Sequence, residues 1–405
     1  MCSCSYRDEV TCAKKVNNNI HDGTRLKFNA FERYTYAWLE KIVNFNKNKR
    51  NDLYNVNFID CMASSGLYFD HKHYNDFYDG TAIRIFKIFV NSARKYKDIQ
   101  FNIFLNDYNS QYIECLKCVK KNVITNTPNN LKIIITEMDK YDYINFLACE
   151  KVINGYGSKN LIIYDPYGVD FNWKYLSKIL NINADFLFTH FFPNDIKRNM
   201  KTTNPDIVSR YEEAYCMNFN EIKENFDIES NPFKRTAFFR NRFHEILKNK
   251  SNKKFLAYAP VILKRTLHVY DIVCLSYSSF AQELLKNTMY SLYKEYELDQ
   301  TNKVAIQLKL FDDVVEDRYE NDRNNGVSEF KFHYDDSHIC KMFYIEFKGK
   351  VIPKTEFKKI LRVHPYLPTN IMKMVKGFYK YKIEKKDING EVVDCYVFPD
   401  GGFSV

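Results

Sequence analysis

The chain has 405 residues and a formal net charge of +10, with 60 Lys and Arg against 50 Asp and Glu. Hydrophobic residues make up 45% of it and aromatic residues 16%, which is enough for a large core and excludes a wholly disordered protein. No apolar run approaches the roughly 18 residues of a membrane-spanning helix, and the first residues lack the apolar stretch of a signal peptide. We therefore expect a cytoplasmic protein of two or three domains with no membrane partner.

The eleven cysteines are scattered and odd in number, which is typical of reduced thiols rather than of a disulfide scaffold. Two clusters, Cys2-x-Cys4 and Cys115-x-x-Cys118, have spacings found in metal sites. Neither has a second pair at the separation of a zinc ribbon. We expect thiols that pack in the core or are incidental, and we predict no metal site.

Short apolar runs alternate with helical patterns through the first three-quarters of the chain. The predicted strands are 56–60, 99–105, 131–136, 160–164 and 186–190, and the predicted helices between them are 110–123, 143–149 and 173–180. This alternation predicts a parallel sheet with helices on both faces. Two adjacent apolar runs, Lys254–Leu263 and Leu267–Ser276, predict an antiparallel pair at one edge of the sheet. A helical insertion is predicted at about 195–250.

Acidic residues follow four of the predicted strands: Asp60, Asp107, Asp139 and Asp165. In an open parallel sheet the ligand crevice lies beyond the carboxyl ends of the strands. A nucleoside ligand needs a small-residue loop after the first strand, a carboxylate for the ribose after the second and an acceptor for the adenine amine after the third. The pattern favours a crevice for S-adenosylmethionine (SAM), bound by Asp60, Ala63, Gly66, Asp107 and Asp139. The alternative is that these aspartates only end strands or cap helices.

Charge is distributed unevenly over the second half of the chain. The basic stretch 234–265 is interleaved with phenylalanines, and it predicts either a phosphate-facing surface or an amphipathic helix with its Phe face inward. The acidic run Asp312–Asp322 predicts a linker, placed at 301–340, between a first domain, 1–300, and a last domain, 341–405. Residues 341–386 hold thirteen Lys and Arg against three Glu. The net charge of this segment is therefore +10, the same as the net charge of the whole chain.

The local pattern of this last domain predicts a small winged helix-turn-helix. A helix over 353–363 precedes a turn at 364–368, and Thr369 is the predicted N-cap of a second helix that continues to Phe378. Asn389-Gly390 predicts a type I′ hairpin turn, which would form the wing. A basic second helix and wing favour contact with nucleic-acid phosphates, although such modules also dock proteins. The predicted nucleic-acid-binding residues are Lys373, Lys376, Lys380, Lys385 and Lys386.

An ordered set of motifs runs through the chain: Thr24–Lys27, Asp60–Tyr68, Gly80-Thr-Ala, Asn106-Asp107, Asp165-Pro-Tyr-Gly168, 186–192 and 195–198. In this order the motifs resemble the three-Cys-motif partner proteins, a bacterial family with a methyltransferase-like fold and a C-terminal winged helix. The resemblance implies a Rossmann-like class I SAM-dependent methyltransferase sheet, and a three-Cys-motif protein encoded nearby as a partner. In the first loop, family members mostly have glycine where this chain has Cys61 and Ser64.

Asp165-Pro-Tyr-Gly168 is also similar to a motif of tRNA guanine-N2 methyltransferases, which have Asp-Pro-Phe-Gly at this place. The resemblance implies a catalytic set of Asp165, Pro166 and Tyr167. The Asp165 carboxylate would accept a hydrogen bond from an exocyclic amine, and Tyr167 would stack on the base. The same four residues also make an ordinary turn.

Together these observations favour an enzyme, a SAM-dependent methyltransferase that acts on an exocyclic amine of a nucleobase in DNA or RNA. One alternative is a catalytically inactive protein on the same fold that binds nucleic acid or recruits a partner. Another is the modification of a different substrate, with the winged helix serving a protein partner.

Overall fold

A computed structural model describes residues 20–49, 53–70, 76–124, 126–191, 194–228, 232–263, 267–304, 336–364, 367–401 and 403. The acidic run Asp312–Asp322 and the Cys2-x-Cys4 cluster lie outside these ranges. None of the helices in the described ranges is long and apolar enough to cross a membrane.

The strands are β1 Asn55–Asp60, β2 Leu67–Asp70, β3 Asp76–Asp79, β4 Gln100–Asp107, β5 Leu131–Glu137, β6 Ser158–Tyr164, β7 Ala184–Phe191, β8 Phe255–Leu263, β9 Leu267–Ser276, β10 Val351–Pro353, β11 Lys382–Ile388 and β12 Glu391–Val397. The helices are α1 Asp22–Lys49, α2 Thr81–Lys95, α3 Ser110–Val123, α4 Lys140–Cys149, α5 Lys151–Asn154, α6 Trp173–Leu180, α7 Asn194–Asn199, α8 Pro205–Tyr215, α9 Phe219–Ile228, α10 Pro232–Lys250, α11 Ser279–Val304, α12 Asp336–Phe347, α13 Lys354–Val363 and α14 Ile371–Val375.

The central sheet has seven strands in the order β5-β4-β1-β6-β7-β9-β8. Its pairings are parallel from β5 to β7, and β9 runs antiparallel to both of its neighbours. The predicted mixed α/β fold with a mostly parallel sheet is confirmed, as is the antiparallel pair β8–β9. This architecture is consistent with a Rossmann-like methyltransferase fold.

Helices cover both faces of this sheet and give two hydrophobic cores. Along β1, Phe58 points into the core under α1, α2 and α3, whereas its neighbour Ile59 points into the core under α4 and α6. Successive side chains of a strand face opposite sides. Because both faces are buried, the strands are almost continuously apolar, which is why the sequence locates them well.

The helices α7 to α10 occupy the predicted insertion and extend the second core. On α10, Phe239 and Phe243 are buried in that core, and Arg240 forms a buried ion pair with Asp271 on β9, with Nε 2.6 Å from Oδ2. The described phenylalanines of α10 therefore pack inward. This agrees with the interpretation of the basic stretch 234–265 as an amphipathic helix.

The C-terminal residues form α12, α13 and α14 and a second, three-stranded antiparallel sheet in the order β10-β12-β11, here called the C-terminal module. The predicted hairpin turn is confirmed, because Asn389 and Gly390 have φ values of 56° and 86°. The predicted second helix is wrong in length and cap. It ends at Val375 rather than at Phe378, and Asn370 rather than Thr369 precedes its first turn.

The module docks on α11 through polar contacts. The Lys286 ammonium donates to the Leu361 carbonyl, and Arg362 Nε lies 2.6 Å from Glu283 Oε1. The helix α11 reaches Val304 and α12 starts at Asp336, so helices enter the predicted linker from both sides.

Candidate functional site

The strand order of the central sheet reverses at β1, because β4 and β5 lie on one side of it and β6 and β7 on the other. The crevice of a doubly wound sheet lies at the carboxyl ends of the strands at this point. Asp60 is the last residue of β1, Asp107 is the last residue of β4, and Asp165 directly follows β6. The structure therefore brings three of the predicted site residues to the crevice.

The loop after β1 is held by its own backbone N–H groups. Met62 N donates to Asp60 Oδ1 at 3.1 Å, Ala63 N to the Asn106 carbonyl at 2.7 Å, and Ser64 N to Asp107 Oδ2 at 2.9 Å. Ala63 is thus placed by β4, and the loop is tied to the strand end that carries Asp107.

Two residues of this loop adopt left-handed backbone conformations. Ser64 has a φ of 55° and Gly66 a φ of 70°. For a residue other than glycine this conformation costs about 1 kcal/mol of conformational free energy. Ser64 therefore adopts the turn at a cost that glycine would not have. At Gly66 a Cβ atom would lie 2.8 Å from Leu116 Cδ2 and 3.3 Å from Ala82 Cβ, so a side chain would displace the Leu116 methyl group, and the positive φ itself favours glycine.

Asp107 is 6% exposed, and both of its carboxylate oxygens accept hydrogen bonds. Oδ2 accepts from Ser64 N, and Oδ1 accepts from Asn109 N at 2.9 Å. Burial raises the pKa of this carboxyl. A carboxylate has about four acceptor sites, and the N–H groups of Ser64, Asn109 and Tyr108 use three of them, so one site remains for a hydroxyl group.

Asp60 is 4% exposed. Burial raises its pKa to about 7, and the negative charges of Asp165 and Asp107 add to this rise, while the Met62 N–H and Lys27 oppose it. At neutral pH the Asp60 carboxyl is therefore ionised in part of the molecules and protonated in the rest.

Asp165 faces Lys27 of α1, a basic residue that sequence reasoning did not assign to the site. Lys27 Nζ lies 2.6 Å from Asp165 Oδ2, while Asp165 Oδ1 is buried and has no hydrogen-bond partner among the described residues. The Thr24–Lys27 match placed Lys27 on the first helix, but no local pattern connects it with Asp165. The other two predicted catalytic residues differ in exposure, since Pro166 is buried and Tyr167 is 98% exposed.

Asp139 differs from these carboxylates in its exposure and in its contacts. It is exposed and forms the N-cap of α4, where its Oδ1 accepts from Tyr141 N at 2.8 Å. Asn106 is the side chain that joins the ends of β1, β4 and β5, because its amide nitrogen donates to the Cys61 and Met138 carbonyls at 3.3 and 3.0 Å. Sequence reasoning noted Asn106 only as a neighbour of Asp107.

The predicted nucleic-acid-binding lysines lie apart from the crevice, in the C-terminal module. Lys373 is on α14, Lys376 and Lys380 follow that helix, and Lys385 and Lys386 are on β11. All five are exposed, and Lys386 Nζ lies 2.8 Å from Glu384 Oε2. Lys385 and Lys386 are consecutive residues of β11, so their side chains lie on opposite faces of the hairpin.

Other cavities and clusters lie outside the crevice. One cavity of about 460 Å³ lies between α3 and β5, and another of about 320 Å³ lies at the amino ends of β6 and β7. In the described part of the chain, no group of three or more His, Cys, Asp or Glu side chains is placed to hold a metal ion.

No family model matches the chain, and no curated protein matches it either. Among solved structures it is similar to a Legionella pneumophila protein described as DUF519, at 10% identity and a TM-score of 0.35, over 65% of this chain and 90% of that one. It is also similar to magnesium protoporphyrin IX methyltransferase from Synechocystis with bound SAH, at 8% identity and a TM-score of 0.26, over 65% of this chain and 92% of that one. Both TM-scores are below 0.5, so the function is inferred from the residues of this chain.

Proposed function

We propose that the protein is a SAM-dependent methyltransferase that acts on an exocyclic amine of a nucleobase in DNA or RNA. The observation that carries this proposal is the buried, unpartnered Oδ1 of Asp165 at the strand-order reversal, next to the carboxyl groups of Asp60 and Asp107. An unpaired buried acceptor is costly, so its persistence points to a ligand that donates a hydrogen bond there.

The first loop and Asp107 are the groups that would hold the cofactor. Asp107 keeps acceptor capacity for the ribose hydroxyls, and Gly66 keeps the turn clear of side chains where the loop meets α2 and α3. SAM supplies an electrophilic methyl group when it is bound. Asp139 remains a candidate for the adenine amine, because its cap bond to Tyr141 occupies only part of its acceptor capacity.

Asp165 is suited to hold the amine that receives the methyl group. Its Oδ1 can accept an amine hydrogen, while Lys27 Nζ holds Oδ2 in an ion pair. A positioned carboxylate can also take up the proton that the amine releases. Tyr167, almost fully exposed, offers its ring to a base that is out of its stack.

We further propose that the C-terminal module is a winged helix that binds the nucleic acid. Its order of elements, α12-β10-α13-α14-β11-β12, supports this, with the β11–β12 hairpin as the wing. The exposed lysines on α14 and β11 would contact phosphates. A three-Cys-motif protein stays the predicted protein partner.

Transfer of a tritiated methyl group from SAM to bulk tRNA and to genomic DNA tests the proposal. We expect Asp165→Ala to lower the transfer rate at least about 100-fold, the loss typical of a removed proton acceptor. Asp98→Ala, which removes an exposed aspartate before β4, is the matched control and should retain the wild-type rate. Equal rates in the wild type and Asp165→Ala would contradict the assigned role of Asp165.

One observation favours the catalytically inactive alternative. Both oxygens of Asp107 hold loop backbone, and Asp165 Oδ2 is paired with Lys27, so these carboxylates already have structural roles. An inactive protein of this kind would bind nucleic acid through its C-terminal module and would neither bind SAM nor transfer a methyl group.

A further inference from the structure

The cavity of about 320 Å³ lies at the edge of the sheet opposite the crevice. It is bounded by α1, by the amino ends of β6 and β7, and by the junction of β9 and α11. Its volume is at the lower end of the range for small-molecule sites, about 300–1,000 Å³. The strands run away from this cavity toward Asp60 and Asp165, so it is a separate site from the crevice.

The floor of the cavity is apolar and aromatic. Trp38 and Ile42 of α1 and Phe280 of α11 contribute to its lining. Trp38 is buried and its indole is fixed, because Nε1 donates to Asp185 Oδ2 at 2.7 Å. A flat apolar group would gain contact area here without needing the floor to rearrange.

Asp185 is the acidic residue of the lining, and its carboxylate is turned into the wall. The indole of Trp38 donates to one oxygen and the Ser276 hydroxyl donates to the other. Burial raises the pKa of Asp185, and the charges of Lys159 and Lys253 oppose this rise. Its hydrogen bonds to the wall therefore leave it less available to a ligand than the residues at the rim.

The rim of the cavity is cationic. Lys41 of α1 and Lys159 of β6 line it and are exposed, and Lys41 Nζ lies 4.9 Å from the centre of the Phe280 ring. In the part of the chain that the structure describes, neither ammonium group forms an ion pair with a carboxylate. Two ammonium groups above an apolar floor complement a ligand with an apolar body and an anionic end.

We propose that this cavity binds a small organic anion, a flat apolar body that carries one carboxylate or phosphate group. The apolar body packs on Trp38, Ile42 and Phe280, and the anionic group lies at the rim between Lys41 and Lys159. The site is independent of SAM and of nucleic acid, so it stands whether or not the proposed methyl transfer occurs.

The two tryptophans of the chain allow a direct test. Trp38 lines the cavity, whereas Trp173 lies in the second core with its Nε1 2.9 Å from the Ala214 carbonyl. In ¹⁵N-¹H spectra of the full chain, titration with benzoate or phenyl phosphate should move the Trp38 indole resonance in a saturable way and leave that of Trp173 in place. Benzamide, which has the same ring without the charge, should bind at least about tenfold more weakly.

Charge variants separate this site from non-specific binding. Lys41→Glu with Lys159→Glu should weaken benzoate binding at least about tenfold, whereas Asp185→Asn should tighten it by removing a like charge. Lys117→Glu with Lys120→Glu, at the other cavity, is the matched control and should leave the affinity unchanged. The proposal is overturned if neither anion moves the Trp38 resonance, if both indole resonances move together without saturation, or if the Lys41 and Lys159 pair has no effect.

Discussion

Carboxyl groups at adjacent strand ends contribute to the charge of the crevice. Asp60, Asp107 and Asp165 lie at these ends, and Lys27 forms an ion pair with Asp165. Burial, with the nearby negative charges of Asp165 and Asp107, raises the pKa of Asp60 to about 7. Asp60 therefore gives the crevice a pH dependence near neutrality.

Replacing Asp60 by Asn should change how stability depends on pH. A carboxyl group whose pKa is raised on folding binds protons more tightly in the native state, so its contribution to stability falls as the pH rises from about 4 to about 7. Asp60→Asn cannot ionise, and its amide oxygen can still accept from Met62 N. Its unfolding free energy relative to the wild type should increase by up to about 1.4 kcal/mol per pH unit across this window.

Urea unfolding at pH 4.5 and pH 7.5, each near an end of that interval, measures this difference. Asp98→Asn, at an exposed aspartate, should track the wild type at both pH values and is the control. A constant difference between Asp60→Asn and the wild type would show that Asp60 is ionised throughout.

Sequence reasoning located Asp60, Asp107 and Asp165 because each ends an apolar run that could only be a buried strand. It could not distinguish a ligand acceptor from a helix cap at Asp139, since both uses need the same residue after a strand. It could not connect Lys27 with Asp165 either. That contact depends on how α1 crosses the carboxyl edge of the sheet, which no local spacing encodes.

At the scale of elements, the buried strands were predicted closely and the C-terminal helix was not. Lys376 is the C-cap of α14, Gly377 and Phe378 lie in the turn that follows, and Tyr379 already forms a β-bridge with Phe403. Helical spacing of apolar residues persisted beyond the helix because Val375 and Tyr379 are both buried in the module. The hairpin β2–β3 gave no clear signal, since its strands are only four residues long.

The lysines after the start of α14 should account for nucleic-acid binding by the C-terminal module. Lys373, Lys376 and Lys380 are exposed, so replacing them with Glu reverses three charges without removing buried contacts. The triple variant should bind duplex DNA or tRNA more weakly. On duplex DNA, the magnitude of the slope of log K against log salt concentration should fall by about 2.7, which corresponds to three lost phosphate contacts. Fluorescence anisotropy over a range of salt concentrations measures both.

The lysines of α3 provide a matched control for this experiment. Lys117→Glu, Lys120→Glu and Lys121→Glu make the same change in net charge on a helix far along the chain from the module. If both triple variants lose affinity equally, the loss reflects net charge alone and the module is not the binding surface.

At the scale of the whole molecule, the C-terminal module packs on the sheet domain as part of a continuous core. Ile339, Phe343 and Phe357 of the module belong to the same cluster of buried residues as Phe58 of β1. The basic excess of residues 341–386 indicated where the module begins in the sequence. It did not indicate that the module would contact α11, since these contacts join residues that are far apart in the chain.

Lys286 should make this docking sensitive to pH. It is buried on α11 against the Leu361 carbonyl, and burial lowers its pKa to about 7, with Glu283 opposing the change. His364 and Arg362 also lie at this contact. A lysine whose pKa is lowered on folding binds protons more tightly in the unfolded chain, so wild-type stability gains from Lys286 as the pH rises from about 7 toward 10.

Lys286→Met removes this titration while keeping an unbranched side chain. Its stability relative to the wild type should fall by up to about 1.4 kcal/mol per pH unit above pH 7. Thermal unfolding at pH 7 and pH 9 measures the change, and Lys294→Met, on the same helix at the surface, is the control. An unchanged difference between the two pH values would mean that Lys286 stays protonated in the native protein.

Calorimetric titration with SAM is the most direct test of the crevice as a cofactor site. The wild type and Asp98→Ala should bind one equivalent of SAM with the same affinity, and Asp107→Ala should lose binding because the proposed ribose acceptor and the anchor of Ser64 N are both removed. Absence of binding to the folded wild type, or unchanged affinity in Asp107→Ala, would contradict the account.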